Sequence, residues 1–171
     1  MHRKQRFTVK RIAQCGLLTA MMLVLGFIES LIPVAAGVPG IKLGLSNGVL
    51  LFALYMMDAP TAFVLMVVKV LLSGLLFGGV SAMMYAMAGG VCSMIGMILL
   101  KKLGFHLIAV SMVGAVLHNL GQVLLAMIML ETSQLMFYMA VLLFVGLACG
   151  AITGVAARAT IGHLQKINRH H

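Results

Sequence analysis

Charge is what this chain has least of. Only 9% of its 171 residues are Asp, Glu, Lys or Arg, against about a quarter in a soluble domain. That deficit excludes an ordinary soluble enzyme. Acidic residues are scarcest, with Glu29, Asp58 and Glu131 the whole set. Cysteine is sparse too. Cys15, Cys92 and Cys149 stand in apolar runs with no CxxC pairing, which gives no support for a disulfide framework or a zinc site. They read as small buried hydrophobes. No phosphate-binding GxxxxGK[ST] loop occurs, so ATP hydrolysis by this chain is not expected.

What the chain has instead is apolar sequence. Hydrophobic residues make up 63% of it, and its mean hydropathy is +1.15. Disorder is excluded by so much apolar surface. The expected fold is all-α, a polytopic protein of the cell membrane built as a single domain. About 20 helical residues cross a hydrocarbon core of ~30 Å. Six stretches approach that length: 12–32, 43–57, 61–77, 81–100, 107–130 and 135–161. A basic N-terminus (1–11) precedes them and a short basic tail (162–171) follows. The first run, at 21 residues, is longer than a secretory h-region and reads as a retained anchor.

Local chemistry accounts for the breaks. Pro33, Pro39, Gly37 and Gly40 end the first span in a rigid loop. Asp58, ahead of Pro60, is placed to cap the third. Gly78-Gly79, Lys101–Gly104 and Glu131–Gln134 make the remaining breaks. Short connections predict antiparallel neighbours. With both termini cytoplasmic, ten of the twelve basic residues fall inside: Arg3, Lys4, Arg6, Lys10, Arg11, Lys101, Lys102, Arg158, Lys166 and Arg169. Only Lys42 lies in an outer loop, and Lys69 lies within a span. The formal charge of +9 is thus an orientation signal with some attraction to anionic lipid, not a nucleic-acid footprint.

Small residues recur at helical spacing. Gly146, Gly150, Gly154 and Ala157 stripe the sixth span; Ala82, Ala86, Gly89, Ser93 and Gly96 the fourth; Ala13, Gly16 and Ala20 the first. In lipid such stripes let helices approach closely. Packing within the chain is the expected use of any one stripe. The first-span stripe, beside the basic N-terminus, also suits docking to another membrane subunit. Sixteen methionines, spread over almost every span, read as adaptable packing rather than as a metal pathway.

Polar residues inside the spans carry more information, because an ionisable group at mid-membrane costs roughly 2.5–3.5 kcal/mol on insertion scales. Lys69 is central in 61–77 and His118 in 107–130. Ser73 follows Lys69 by one turn, and Gln122 follows His118 by one turn. Asn119 is adjacent, and Tyr85 enters from the fourth span. Glu29 ends the first span, while Lys42, Ser46 and Asn47 open the second. Singly, each also fits a packing or ion-pair role. Together they outline a polar cavity for an anionic or carbonyl-bearing ligand in apolar surroundings that suit an isoprenoid or ring portion. No reaction centre accompanies them. Three scattered acids cannot hold Mg²⁺ on a diphosphate, so independent prenyl transfer is not expected, and neither a cofactor nor a metal is implied.

Three ordered motifs carry a family resemblance. They are GVPGIKLGLSN at 37–47, KVLLSGLLFGG at 69–79 and GAVLHNLGQ at 114–122. The chain resembles, over nearly its whole length, the Gx transporter family, whose members are labelled heptaprenyl diphosphate synthase component I. By that resemblance the family usually carries Arg where Lys69 stands; lysine keeps the charge but not the bidentate fork. The wider group is similar to the substrate-capture (S) components of energy-coupling-factor transporters. That likeness implies a six-helix bundle that binds a small molecule from outside and docks on a transmembrane coupling subunit driven by ATPases. It makes 33–42 a lid and Ala13, Gly16 and Ala20 the docking face. The synthase label implies a different role, as a non-catalytic partner of a polyprenyl diphosphate synthase linked to menaquinone and electron transfer. A purely structural membrane adaptor is the third possibility.

Overall fold

The computed structural model describes residues 8–31 and 44–169. Lys42, the 33–42 loop and the basic residues before Thr8 lie outside the described residues. Six α-helices and no strand occur among the described residues. They are α1 (Val9–Leu31), α2 (Leu45–Met56), α3 (Ala59–Ser73), α4 (Gly79–Lys102), α5 (Leu107–Met129) and α6 (Leu135–Arg169). A single π-helical turn, Gly74–Gly78, joins α3 to α4.

The caps follow from sequence. Asp58 Oδ1 accepts a 2.8 Å hydrogen bond from the Thr61 N–H, and Pro60 sits in the first turn of α3. That is the N-cap expected of it. After α4 the chain turns on Gly104, at φ +80°. Phe105 N–H donates to the Leu100 carbonyl and Gly104 N–H to that of Lys101, a Schellman close. Lys101 and Lys102 belong to the last turn of α4 rather than to a loop. Helix α6 continues through most of the expected tail 162–171, to Arg169.

By length and composition, four helical stretches are apolar enough to cross a membrane: Val9–Glu29, Ala59–Lys102, Leu107–Met129 and Leu135–Lys166. The second runs through the π-turn and is folded back at Gly79, whose φ is +73°. Gly74 lies against Met83, and further from the corner Gly90 lies against Met66. This is the pairing of two antiparallel helices. Helix α2 has only 12 residues. Outward-facing Phe137 and Phe144 are 84% and 78% exposed, a surface suited to lipid rather than water. The helices are those of a membrane protein.

Glycine sets the seams. On α6, a Cβ at Gly150 would lie 2.7 Å from the Met112 Cα, and one at Gly154 3.1 Å from the Ile108 Cα. The α6 stripe is therefore spent on α5. Gly89 and Gly121 do the same between α4 and α5. Met66, Met94 and Met97 are almost wholly buried; Met66 lies over Gly90 and Met97 over Gly114, the gap-filling use of a flexible side chain. Ala13, Gly16 and Ala20 are exposed instead.

Two cations have structural partners at one end of the bundle. Arg11 pairs with Asp58 and donates to Thr61 Oγ1 at 2.6 Å. Lys101 Nζ donates to the Leu54 carbonyl at 2.5 Å and sits 4.8 Å above the Tyr55 ring, satisfying a carbonyl at the end of α2. These bonds gather the start of α1, the end of α2, the start of α3 and the end of α4. Partial burial works against ionisation of Asp58, but the Thr61 N–H and hydroxyl and the Arg11 guanidinium outweigh it and hold its carboxyl below the ordinary value. A depressed carboxyl stabilises the fold above its unfolded pKa, about 3.9, and loses that contribution as pH falls through the folded value. Asp58→Ala is expected to cost about 1–2 kcal/mol at neutral pH. Thermal melts of the two proteins in detergent should converge as pH drops below about 4.

Candidate functional site

Helix α1 brings Glu29 to its last turn, where it is 3% exposed. Its carboxylate accepts a hydrogen bond from the Gly44 N–H, immediately before α2. A carboxylate at the N-terminus of a helix answers both its free N–H groups and its dipole. Gly44 adopts φ +85°, so the turn into α2 favours glycine. Helix α3 brings Lys69 and Ser73 to the same place, one turn apart. Ser73 Oγ donates to the Val70 carbonyl at 3.2 Å, leaving its lone pairs toward other donors. Helix α5 brings His118 and Gln122, each 6% exposed.

These groups line one cavity. Its wall includes Glu29, Ser46, Asn47, Lys69, Ser73, His118 and Gln122, with Gly44, Gly74, Gly78, Ala82, Met83 and Ala86 between them. The volume is about 30 Å³, room for one or two water molecules. Six of the nine residues expected to bind ligand therefore meet: Glu29, Asn47, Lys69, Ser73, His118 and Gln122. Lys42 lies outside the described residues.

Asn119 and Tyr85 are not among the described residues of that wall. Asn119 is one residue round the helix from His118, which turns it about 100° away. Its Nδ2 donates to the Leu142 carbonyl at 2.9 Å, so it joins α5 to α6. Asn119→Ala is expected to cost about 0.6–1.7 kcal/mol in the membrane and to leave ligand affinity unchanged, as paired melting and binding assays would show. Tyr85 is absent from the cavity's described wall, which α4 forms with Ala82, Met83 and Ala86. Sequence reading gave Ala82 and Ala86 to helix packing. Their small size was the signal, since the same property leaves room for a cavity.

The depth of α4 against α5 is set beside the site. A Cβ at Gly89 would lie 2.5 Å from the His118 carbonyl oxygen and 2.7 Å from Gln122 Cγ. Only glycine admits α4 this close, and the contact holds the His118–Gln122 turn against the cavity. Asn47 Nδ2 is buried with no hydrogen-bond partner among the described residues. That donor, the Lys69 ammonium and the Gln122 amide can answer an acceptor-bearing group. Among the described residues no three His, Cys, Asp or Glu side chains gather where a metal would sit. Glu29 is the only carboxylate on the described wall, so the wall lacks the paired acids that Mg²⁺–diphosphate chemistry uses. At the basic end, a broad groove of about 390 Å³ runs between Lys10, Arg11, Gln14 and Asp58; two of its charges are engaged with each other in the Arg11–Asp58 pair.

No curated protein and no solved structure matches the chain. A family does: residues 18–160 match the one described as heptaprenyl diphosphate synthase component I. The match reaches from within α1 to within α6, takes in every described residue of the cavity wall, and contains the motifs at 37–47, 69–79 and 114–122. On that match the chain belongs to the heptaprenyl diphosphate synthase component I family.

Proposed function

We propose that this protein is a membrane substrate-binding subunit, similar to the S components of energy-coupling-factor transporters, for an isoprenoid- or quinone-related small molecule. It spans the membrane six times with both termini cytoplasmic, and it binds without catalysing. The observation that carries this reading is the convergence of Glu29, Asn47, Lys69, Ser73, His118 and Gln122, from four helices, on one cavity. Polar groups are costly inside a membrane and mark ligand or ion sites by default. The gathering of Arg11, Asp58 and Lys101 at one end supports the orientation by the positive-inside rule.

A second reading has one observation of its own, the description of the matched family. In it the chain is a non-catalytic membrane subunit beside a soluble polyprenyl diphosphate synthase. Copurification separates the two. Recovery with a transmembrane coupling subunit and ATPases supports the first, and recovery with a soluble synthase supports the second. Gly16 sharpens the test, since nothing lies within 4 Å of where its Cβ would be. Gly16→Leu is expected to leave stability within about 0.5 kcal/mol and to abolish recovery of the coupling subunit. Retention of that subunit at wild-type level would remove the Ala13/Gly16/Ala20 face from the account.

A further inference from the structure

The helices divide into two sets, α1–α3 and α4–α6, that are joined in different ways. Within the second set backbone meets backbone. A Cβ at Gly121 would lie 2.9 Å from the Ala88 carbonyl oxygen, and one at Gly150 2.7 Å from the Met112 Cα. In the first set α1 packs on α2 and α3, and the Arg11–Asp58 pair ties the start of α1 to the start of α3. Residues 32–43 lead from α1 to α2, so both their ends belong to that set.

Between the sets the fit is made by side chains. Helix α2 meets α6, and α3 meets α4. A Cβ at Gly48 would first reach the Thr153 side chain, at 3.2 Å, and one at Gly90 would first reach Met66 Sδ, at 2.6 Å. A flexible methionine repacks where interlocked backbone cannot. The chain crosses from one set to the other once, through the π-turn Gly74–Gly78 and Gly79 at φ +73°. Such turns concentrate at functional sites. Hinges are a few residues at element ends, often small, that absorb a change of backbone angle.

A clasp stands at the opposite end. Helix α4 has 24 residues and is about 36 Å long, which sets Lys101 far from the π-turn. Lys101 Nζ reaches across to the first set, donating to the Leu54 carbonyl and lying over the Tyr55 ring. Lipid gives apolar helices no hydrophobic drive to stay together, so a charge-assisted bond weighs heavily at that seam. A cost sits beside it. The Tyr55 hydroxyl is buried with no hydrogen-bond partner among the described residues, a desolvation penalty that water or a lipid headgroup would remove if this end parted.

The cavity lies between the two sets. Asn47 and Lys69 line it from the first; Met83, His118 and Gln122 line it from the second. Met66 is one turn nearer the basic end than Lys69, and Gly90 one turn nearer than Ala86. Their contact stands between the cavity and the clasp.

We infer that α1–α3 and α4–α6 part as two bodies about the π-turn, and that the Lys101–Leu54 clasp holds them shut, so that its release opens the cavity toward the basic end past Met66. Such a hinge works whatever the cavity holds.

Double electron–electron resonance on the full chain in phospholipid nanodiscs tests it, with Cys15, Cys92 and Cys149 replaced by alanine. One spin-label pair, Ile12→Cys with Phe105→Cys, spans the basic end. Another, Ile28→Cys with Ile128→Cys, spans the end near the π-turn. All four positions are exposed. Lys101→Met is expected to raise the fraction with a longer distance across the basic end by ~10-fold or more and to leave the other pair unmoved. Lys101→Arg, which still donates, should stay closed. Adding Tyr55→Phe to Lys101→Met should lower the open fraction again by ~5-fold or more, a reversal that general loosening of the fold would not give. An unmoved distance across the basic end in Lys101→Met would overturn the clasp. Equal broadening at both ends would overturn the hinge.

Discussion

Lys69→Met is expected to weaken ligand binding by roughly 10- to 100-fold, the cost of one charge-assisted hydrogen bond of about 1.5–3 kcal/mol. Methionine fills nearly the same volume on α3, so the fold should persist. The loss would come from the only lysine or arginine on the cavity's described wall. Lys69→Arg should bind at least as well, because a guanidinium offers a fork where the ammonium offers a point charge. Titration of menaquinone-4 or menadione into the three purified proteins reads both changes. Unchanged affinity in Lys69→Met would take the cation out of the site.

A second large effect is expected from Gly121→Val, through packing rather than charge. A Cβ there would lie 2.9 Å from the Ala88 carbonyl oxygen and 3.0 Å from the Gly89 Cα. Both neighbours are backbone, so α4 as a whole must give way. Overpacking of this kind costs about 1–3 kcal/mol, which for a chain of this size lowers the melting temperature by roughly 2–12 °C. As α4 withdraws it releases the turn that Gly89 holds, and His118 and Gln122 lose their place at the cavity. Binding should fall together with stability. Gly16→Leu, the same kind of change on an open face, should lower neither.

Much of this arrangement was legible in the chain itself. Intramembrane polar residues are so costly that Lys69, Ser73, His118 and Gln122 declared themselves by position alone, and the structure brings them together with Glu29 and Asn47. The Asp58 cap was legible because a carboxylate before a proline and a threonine has few other uses. The hydrogen bond of Asn119 to the Leu142 carbonyl was not legible, because depth along a helix says nothing about direction around it, and its neighbour His118 takes the face toward the cavity. The π-turn at Gly74–Gly78 was beyond reach, since hydropathy and helical periodicity do not mark one extra residue in a turn. Hydropathy placed the end of the sixth span at 161, but α6 continues to Arg169. Hydropathy reports where lipid ends, whereas a helix continues wherever its residues still favour it. The exposed Ala13/Gly16/Ala20 stripe looked no different from the stripes of α4 and α6; only the packing of the chain distinguishes the stripes already used from the one left open.

Family membership and cavity chemistry together leave the central claim, that this protein holds a small molecule inside the membrane, open to one direct measurement. Mass spectrometry of small molecules retained after gentle extraction should find an isoprenoid- or quinone-related compound with the wild-type protein and much less of it with Lys69→Met. An empty wild-type protein, or equal retention by the two, would contradict the account.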